Sequence, residues 1–299
     1  MKALLFCPVA SPEIAALSAR ATPAALPLLG ETLAAYWLVH LASLGAKEVT
    51  ILAPDRPEEI RQAVGDGARW GLRVEVVAVA ETMTLAEARP SFQGVGHSEW
   101  LPAPNDLILM DRLPGLPGAG LFGSYAQWFA ASQSWMSRAL TPDRVGAHEI
   151  RPGIRVGLHG RIPADAVLNP PCWIGDQVFL GAGVTVGPMT ALENRVVVEA
   201  GAEISHSIVG PDTFVGRLAE LHDSIAWGDT LINWKSGSSL RVTAGFLLSS
   251  LGDDQRTPPP ALRRPAWNLS RLWSPPEPPA VSPALVPPFG AAERDRYYK

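Results

Sequence analysis

The sequence predicts two folds in series, an α/β domain built on a parallel sheet and then a left-handed parallel β-helix. Three observations carry that reading. Branched aliphatic residues recur every six positions from Val156 through Ile162, Leu168, Ile174, Leu180, Val186, Leu192 and Val198 to Ile204; after one shorter step to Val209 the spacing resumes at Val215 and Leu221. Neither an α-helix nor a strand of period two keeps such a register, so each rung marks one flat face of a solenoid, and three faces close a coil. The second observation is the alternation of strand-like and helix-like runs up to about residue 80, which predicts a parallel sheet covered by helices. The third is a change of composition after Thr257. There Pro258-Pro259-Pro260, Pro275-Pro276, Pro278-Pro279 and Pro287-Pro288 exclude helix and sheet alike.

These observations divide the chain into an α/β domain over residues 1–142, a β-helix over 150–250 and a proline-rich tail over 251–299, which is extended or disordered. Residues 3–7 form a buried strand. Residues 31–44 read as an amphipathic helix with Leu33, Tyr36, Trp37, His40, Leu41 and Leu44 near one face; Gly45 ends it, and Val49-Thr50-Ile51-Leu52 gives the next strand. A helix over about 57–64, a turn at Gly65-Asp66-Gly67 and a strand over 73–79 continue the alternation. Residues 107–110 give a further apolar strand that ends at Asp111, followed by a Gly/Pro-rich loop over 113–123 and a helix over 125–140. The β-helix runs from about 150 to 232, a little over four coils of about eighteen residues, with room for closing strands over 240–248. Cys172, Val178, Val184, Thr190, Val196 and Ala202 stand two before a rung, and their small or branched side chains suit a narrow interior corner.

A chain of 299 residues with 47% hydrophobic content supports two cores. Its net charge of −4 gives no electrostatic footprint for nucleic acid or an anionic membrane. Cys7 and Cys172 lie far apart in apolar runs, which predicts buried thiols in a reducing, cytoplasmic compartment rather than a disulfide. The apolar run after Lys2 ends at Pro8, too short for a secretion signal, and no later stretch is long enough to span a bilayer. No Cys or His cluster has zinc spacing. Gly94-Val95-Gly96 and Gly118-Ala119-Gly120 match no phosphate-binding fingerprint and read as flexible loops, while Trp100, Trp128 and Trp135 read as core fillers.

Several stretches carry a family likeness. They are Leu26-Pro27-Leu28-Leu29-Gly30-Glu31-Thr32-Leu33, then Tyr36 to Leu41 and Leu44 to Val49, then Ile60-Arg61 with Gly65-Asp66-Gly67-Ala68-Arg69-Trp70-Gly71-Leu72, and Pro171-Cys172-Trp173-Ile174-Gly175. Over roughly 1–80 and 150–232 the chain resembles the sugar-1-phosphate nucleotidyltransferases, such as mannose-1-phosphate guanylyltransferase and glucose-1-phosphate adenylyl- or thymidylyltransferase. The resemblance implies a truncated Rossmann-like nucleotidyltransferase domain followed by a left-handed β-helix. It also implies a place in nucleotide-sugar metabolism feeding polysaccharide assembly, where a nucleoside triphosphate and a sugar 1-phosphate yield a nucleotide-sugar and pyrophosphate with Mg2+. Nucleotide or sugar phosphate would be the ligands. By the same resemblance Asp111 is the candidate metal ligand, at a strand end where open parallel sheets bind ligands.

The family's glycine-rich loop needs glycines for close backbone approach to phosphates, and an Arg and a Lys for the charge that builds up. Counted back from Pro27, those glycines fall on Val9 and Ser11, the Arg on Glu13 and the Lys on Pro23; Arg20 is a displaced cation or a solvated helical residue. Only about forty residues separate Asp111 from the β-helix, where the family builds much of its sugar pocket. The resulting reading is a non-catalytic paralogue that regulates or scaffolds, pairing through its β-helix with itself or with an active relative. A divergent active nucleotidyltransferase is one alternative. A hexapeptide-repeat acyltransferase is the other, with His159, His206 or His222 as general base.

Overall fold

The computed structural model describes residues 1–93, 107–116, 120–139 and 147–252. Strands Lys2–Phe6, Glu48–Ala53, Arg73–Ala78 and Leu107–Leu109 form a four-stranded parallel sheet, Rossmann-like in the order third, second, first, fourth. Both faces of the first strand are buried: Ala3 and Leu5 join the main core, while Leu4 and Phe6 pack with Leu52 and Ala88 on the other side. Near-continuous apolar runs are what a parallel strand covered on both faces requires.

The first long helix differs from expectation at both ends. It spans Leu33–Ser43, because Glu31–Thr32 is used in a hairpin with Pro27–Leu28, and the Thr32 hydroxyl accepts from the Ala35 N–H at 3.2 Å to cap it. Nor is it amphipathic in the expected way. Leu33, Ala34, Ala35, Tyr36, Trp37, Leu38 and Leu41 are all buried, whereas Leu44 is 51% exposed. The helix is covered on more than one side, since it packs on helix Pro57–Val64 and its Tyr36 meets Trp135 edge-on at 5.4 Å. That partner helix spans Tyr125–Trp135, shorter than the expected 125–140.

A further helix, Leu85–Gln93, had a legible start. Thr84 and Glu87 form a reciprocal capping box, with the Thr84 N–H donating to Glu87 at 2.9 Å and the Glu87 N–H to Thr84 at 3.3 Å. Trp128 and Trp135 are core fillers as expected. Trp100, Gly94-Val95-Gly96, Gly118-Ala119 and the tail beyond 252 lie outside the described residues, as does 140–146, where the expected domain boundary falls.

Beyond residue 147 the chain winds through three stacked ladders of parallel strands. Cys172 pairs with Thr190, Phe179 with Val197 and Thr185 with Glu203, a repeat of eighteen residues. Ala191 pairs with Ile208, and Ile208 with Ile225, a repeat of seventeen. The short step at Ile204–Val209 therefore removes one corner residue from the coil without breaking a ladder, and a second short step, Leu221 to Ala226, does the same. Rung residues Ile174, Leu180, Val186, Leu192, Val198, Ile204, Val209 and Val215 line one continuous core, with Cys172, Val178, Val184, Val196 and Ala202 in its corners.

Both ends of the coil are antiparallel, a correction to the simple repeat. His148–Arg151 folds back on Ile154–Val156 at the start, and at the end Ser224–Trp227, Thr230–Asn233 and Ser239–Arg241 form a meander, while Leu248–Ser250 closes on Thr213–Val215. Ile232 thus belongs to a closing hairpin rather than to a coil. Reversing direction at the ends blunts the open ladders that would otherwise template further strands.

One face of the solenoid is covered by the α/β domain. Between inward residues such as Cys172 and Ile174, the outward residues Trp173, Ala191, Ile208 and Ile225 stack one per coil and belong to the main core of the α/β domain. Residues Met1–Asp254 accordingly form one compact unit.

Candidate functional site

The strand order reverses between Lys2–Phe6 and Leu107–Leu109, and ligands of open parallel sheets bind at such a switch point, outside the carboxyl ends of the strands. Asp111 stands just beyond the second of these strands, after Met110, the strand ending one residue earlier than expected. A cleft of about 320 Å³ there is lined by Trp37, Leu107, Ile108, Leu109, Asp111 and Arg112.

The Asp111 carboxylate accepts from Arg112 Nε at 2.8 Å and from Nη2 at 3.2 Å. Hydrogen bonding to Asp111 in turn holds the Arg112 guanidinium above its ordinary range. The Arg112 carbonyl accepts from Trp37 Nε1 at 2.8 Å, which fixes the loop against the first long helix. One carboxylate with both oxygens on a guanidinium is a poor fit to Mg2+, which takes one or two carboxylates together with phosphate oxygens and water. Among the described residues no group of three His, Cys, Asp or Glu side chains is placed to hold a metal ion.

The loop after the first strand carries the second half of the expected site. It holds Val9, 44% exposed, then Ser11, whose hydroxyl donates to the Glu13 carboxylate. That bond, together with a backbone N–H, pulls the Glu13 carboxyl below its usual range. Pro23 is buried. Arg20 is neither a displaced phosphate cation nor a solvated helical residue, because it reaches across to the solenoid meander and binds Asp229 and, at 2.8 Å, the Thr230 hydroxyl.

Asp229 also accepts from Arg241. Burial alone would raise its carboxyl, but hydrogen bonds from Arg241 and Arg20 outweigh that and hold it below the ordinary carboxylate range. A depressed carboxyl stabilises the fold above its unfolded pKa, and that contribution is lost as pH falls through the folded value. Asp229→Asn is therefore expected to flatten the acid limb of a stability profile below about pH 4, as read by thermal melts at stepped pH.

The resembling segments turn out to be joined to one another and to the solenoid. Leu29 and Gly30, with φ of 52° and 79°, form the two-residue turn of the Pro27–Thr32 hairpin, the type I′ geometry. Glu193, only 2% exposed, accepts from the Leu29 N–H and the Gly30 N–H at 2.6 Å each, and Asn194 Nδ2 donates to the Gly30 carbonyl at 3.1 Å. Arg69 of the second segment binds Glu31 of the first. The signal for Glu193 was its place directly after the rung Leu192, where other coils carry Gly175, Gly157 or Gly210.

The three histidines do not gather. His159 and His206 occupy different corners of the coil, both with a left-handed backbone, at φ of 58° and 49°. His222 lies on the third ladder, its Nδ1 2.6 Å from the Ser205 hydroxyl of the preceding coil. Both cysteines are free and buried; burial pushes the Cys172 thiol up to about 11 and the Cys7 thiol further still. Among the described residues no helix is long and apolar enough to cross a membrane.

No protein-family model matches the chain, and no curated protein matches it.

Proposed function

We propose that this chain is a sugar-1-phosphate nucleotidyltransferase relative that has lost the parent chemistry and acts in nucleotide-sugar metabolism as a regulatory or scaffolding subunit. On this reading it is a cytoplasmic protein whose solenoid coils left-handed and mediates assembly. The supporting observation is the loop at the switch point, where Val9, Ser11 and Glu13 set Cβ atoms and a carboxylate at the positions the family gives to glycines and arginine. A phosphate group there meets repulsion instead of backbone amides and a cation. Asp111, the acidic group that lines the crevice among the described residues, supports the divergent active alternative by its place at the strand end, but Arg112 already occupies it.

The test is pyrophosphate release with Mg2+, a panel of nucleoside triphosphates and common hexose 1-phosphates, beside an active member of the family. Wild type and Asp111→Asn are expected to be equally silent. Release by the wild type above the Asp111→Asn background would mean that the family reaction survives, and the non-catalytic reading would be wrong.

A further inference from the structure

We infer that the second face of the solenoid is a homodimer interface, formed about a two-fold axis that runs along the strand direction between the third and fourth coils. This rests on the scaffolding reading and names the partner: a second copy of the chain. Counting coils from the strand Ile154–Val156, the second face carries Phe179–Leu180 in coil two, Val197–Val198 in coil three and Thr213–Val215 in coil four. Leu180, Val198 and Val215 point into the solenoid core, so Phe179, Val197 and Phe214 form an outward apolar column.

Among the described residues, this is the face that is apolar and has nothing packed over it. The first is covered by the α/β domain, and the third presents Val167, Thr185, Glu203 and Glu220, half of them carboxylates. Phe179 is 46% exposed. Beside the column runs a groove of about 600 Å³, with Gly181, Ala182 and Ala200 leaving space and Arg161, Glu199 and Arg217 supplying charge. These three charged side chains are in no ion pair among the described residues. An apolar strip flanked by unspent charges of both signs is the composition of a protein contact with an apolar centre and a polar rim.

The register sets how two copies fit. Val197 and Phe214 are neighbours across coils three and four. Two residues before them, Arg195 and Asp212 form a bidentate pair at 2.6 Å and 2.6 Å; two residues after Val197 comes Glu199, and three after Phe214 comes Arg217. A two-fold axis between these coils sets coil three of each copy against coil four of the other. Val197 then meets the partner's Phe214, Glu199 the partner's Arg217 and Arg195 the partner's Asp212. Every contact occurs twice, as an isologous interface requires. Gly216 presents no side chain between the Glu199 and Arg217 groups.

Light scattering and sedimentation equilibrium of the full chain are expected to show a dimer. Glu199→Arg and Arg217→Glu, each alone, set like charges opposite one another and are expected to weaken the dimer about tenfold or more, with the double swap restoring it. Thermal melts of the single variants are expected to match wild type in the monomer, because neither side chain has an ion pair to lose. A chain that stays monomeric at every concentration would overturn the dimer and leave the pyrophosphate result untouched. A dimer indifferent to both single changes would mean that another surface is used, and failure of the double swap to recover would refute the pairing of Glu199 with Arg217.

Discussion

Glu193→Ala is expected to destabilise the protein by about 4 kcal/mol, because it strands two backbone N–H groups where the solenoid meets the α/β domain. Each buried donor left without an acceptor costs about 1–3 kcal/mol, and hydrogen bonds to a charged acceptor lie at the upper end of the usual range. Glu193→Gln keeps the shape and one acceptor but points an amide N–H at a backbone N–H; a loss of about 2 kcal/mol is expected. Urea titrations of the two variants beside wild type check both values. If Glu193→Ala cost under about 1 kcal/mol, water would be replacing the carboxylate and the clamp would not be a dry contact. The effect should also be local in kind. The Leu29–Gly30 amides, protected from hydrogen exchange in wild type, are expected to exchange faster in Glu193→Ala while the solenoid rungs stay protected.

Trp173→Ala is the second large effect, expected at about 3–5 kcal/mol. Trp173 is 1% exposed and is the largest fully buried side chain, standing on the outward face of the first ladder within the core of the α/β domain. Its removal leaves a cavity between the stacked coils of the solenoid and the core of the α/β domain, neither of which can collapse into it cheaply. Trp173→Phe, which keeps part of the area, is expected to lose roughly half as much. Chemical denaturation that separates into two transitions in Trp173→Ala but not in wild type would show directly that this residue couples the solenoid to the α/β domain.

Much of this was legible in the chain. The six-residue ladder fixes the solenoid because the repeat is a local property: each rung must point inward whatever lies outside, so Ile174, Leu180 and Val186 announce three faces before any contact is known. The same holds for the first strand and for Gly45, whose φ of 86° ends the first long helix where a residue with a Cβ would be strained. The switch-point position of Asp111 was also legible, since it follows from strand order alone. What its carboxylate does was not, because its partner Arg112 is the next residue and only the loop conformation turns the guanidinium onto it.

Other features had no local signature. The first long helix has an amphipathic spacing, and its sequence cannot say that neighbours cover it on more than one side. Arg20 has no partner within its own stretch of sequence, and only the fold brings Asp229, some two hundred residues away, to meet it. Sequence by itself determined the coil and the parallel sheet, since both are matters of residue type at fixed spacing. The tertiary structure decided how the parts are joined. A buried Glu193 on the turn at Leu29–Gly30, Trp173 in the core of the α/β domain and a Phe179–Val197–Phe214 face that the α/β domain leaves uncovered all depend on which side of the solenoid that domain packs, and no local pattern specifies that choice.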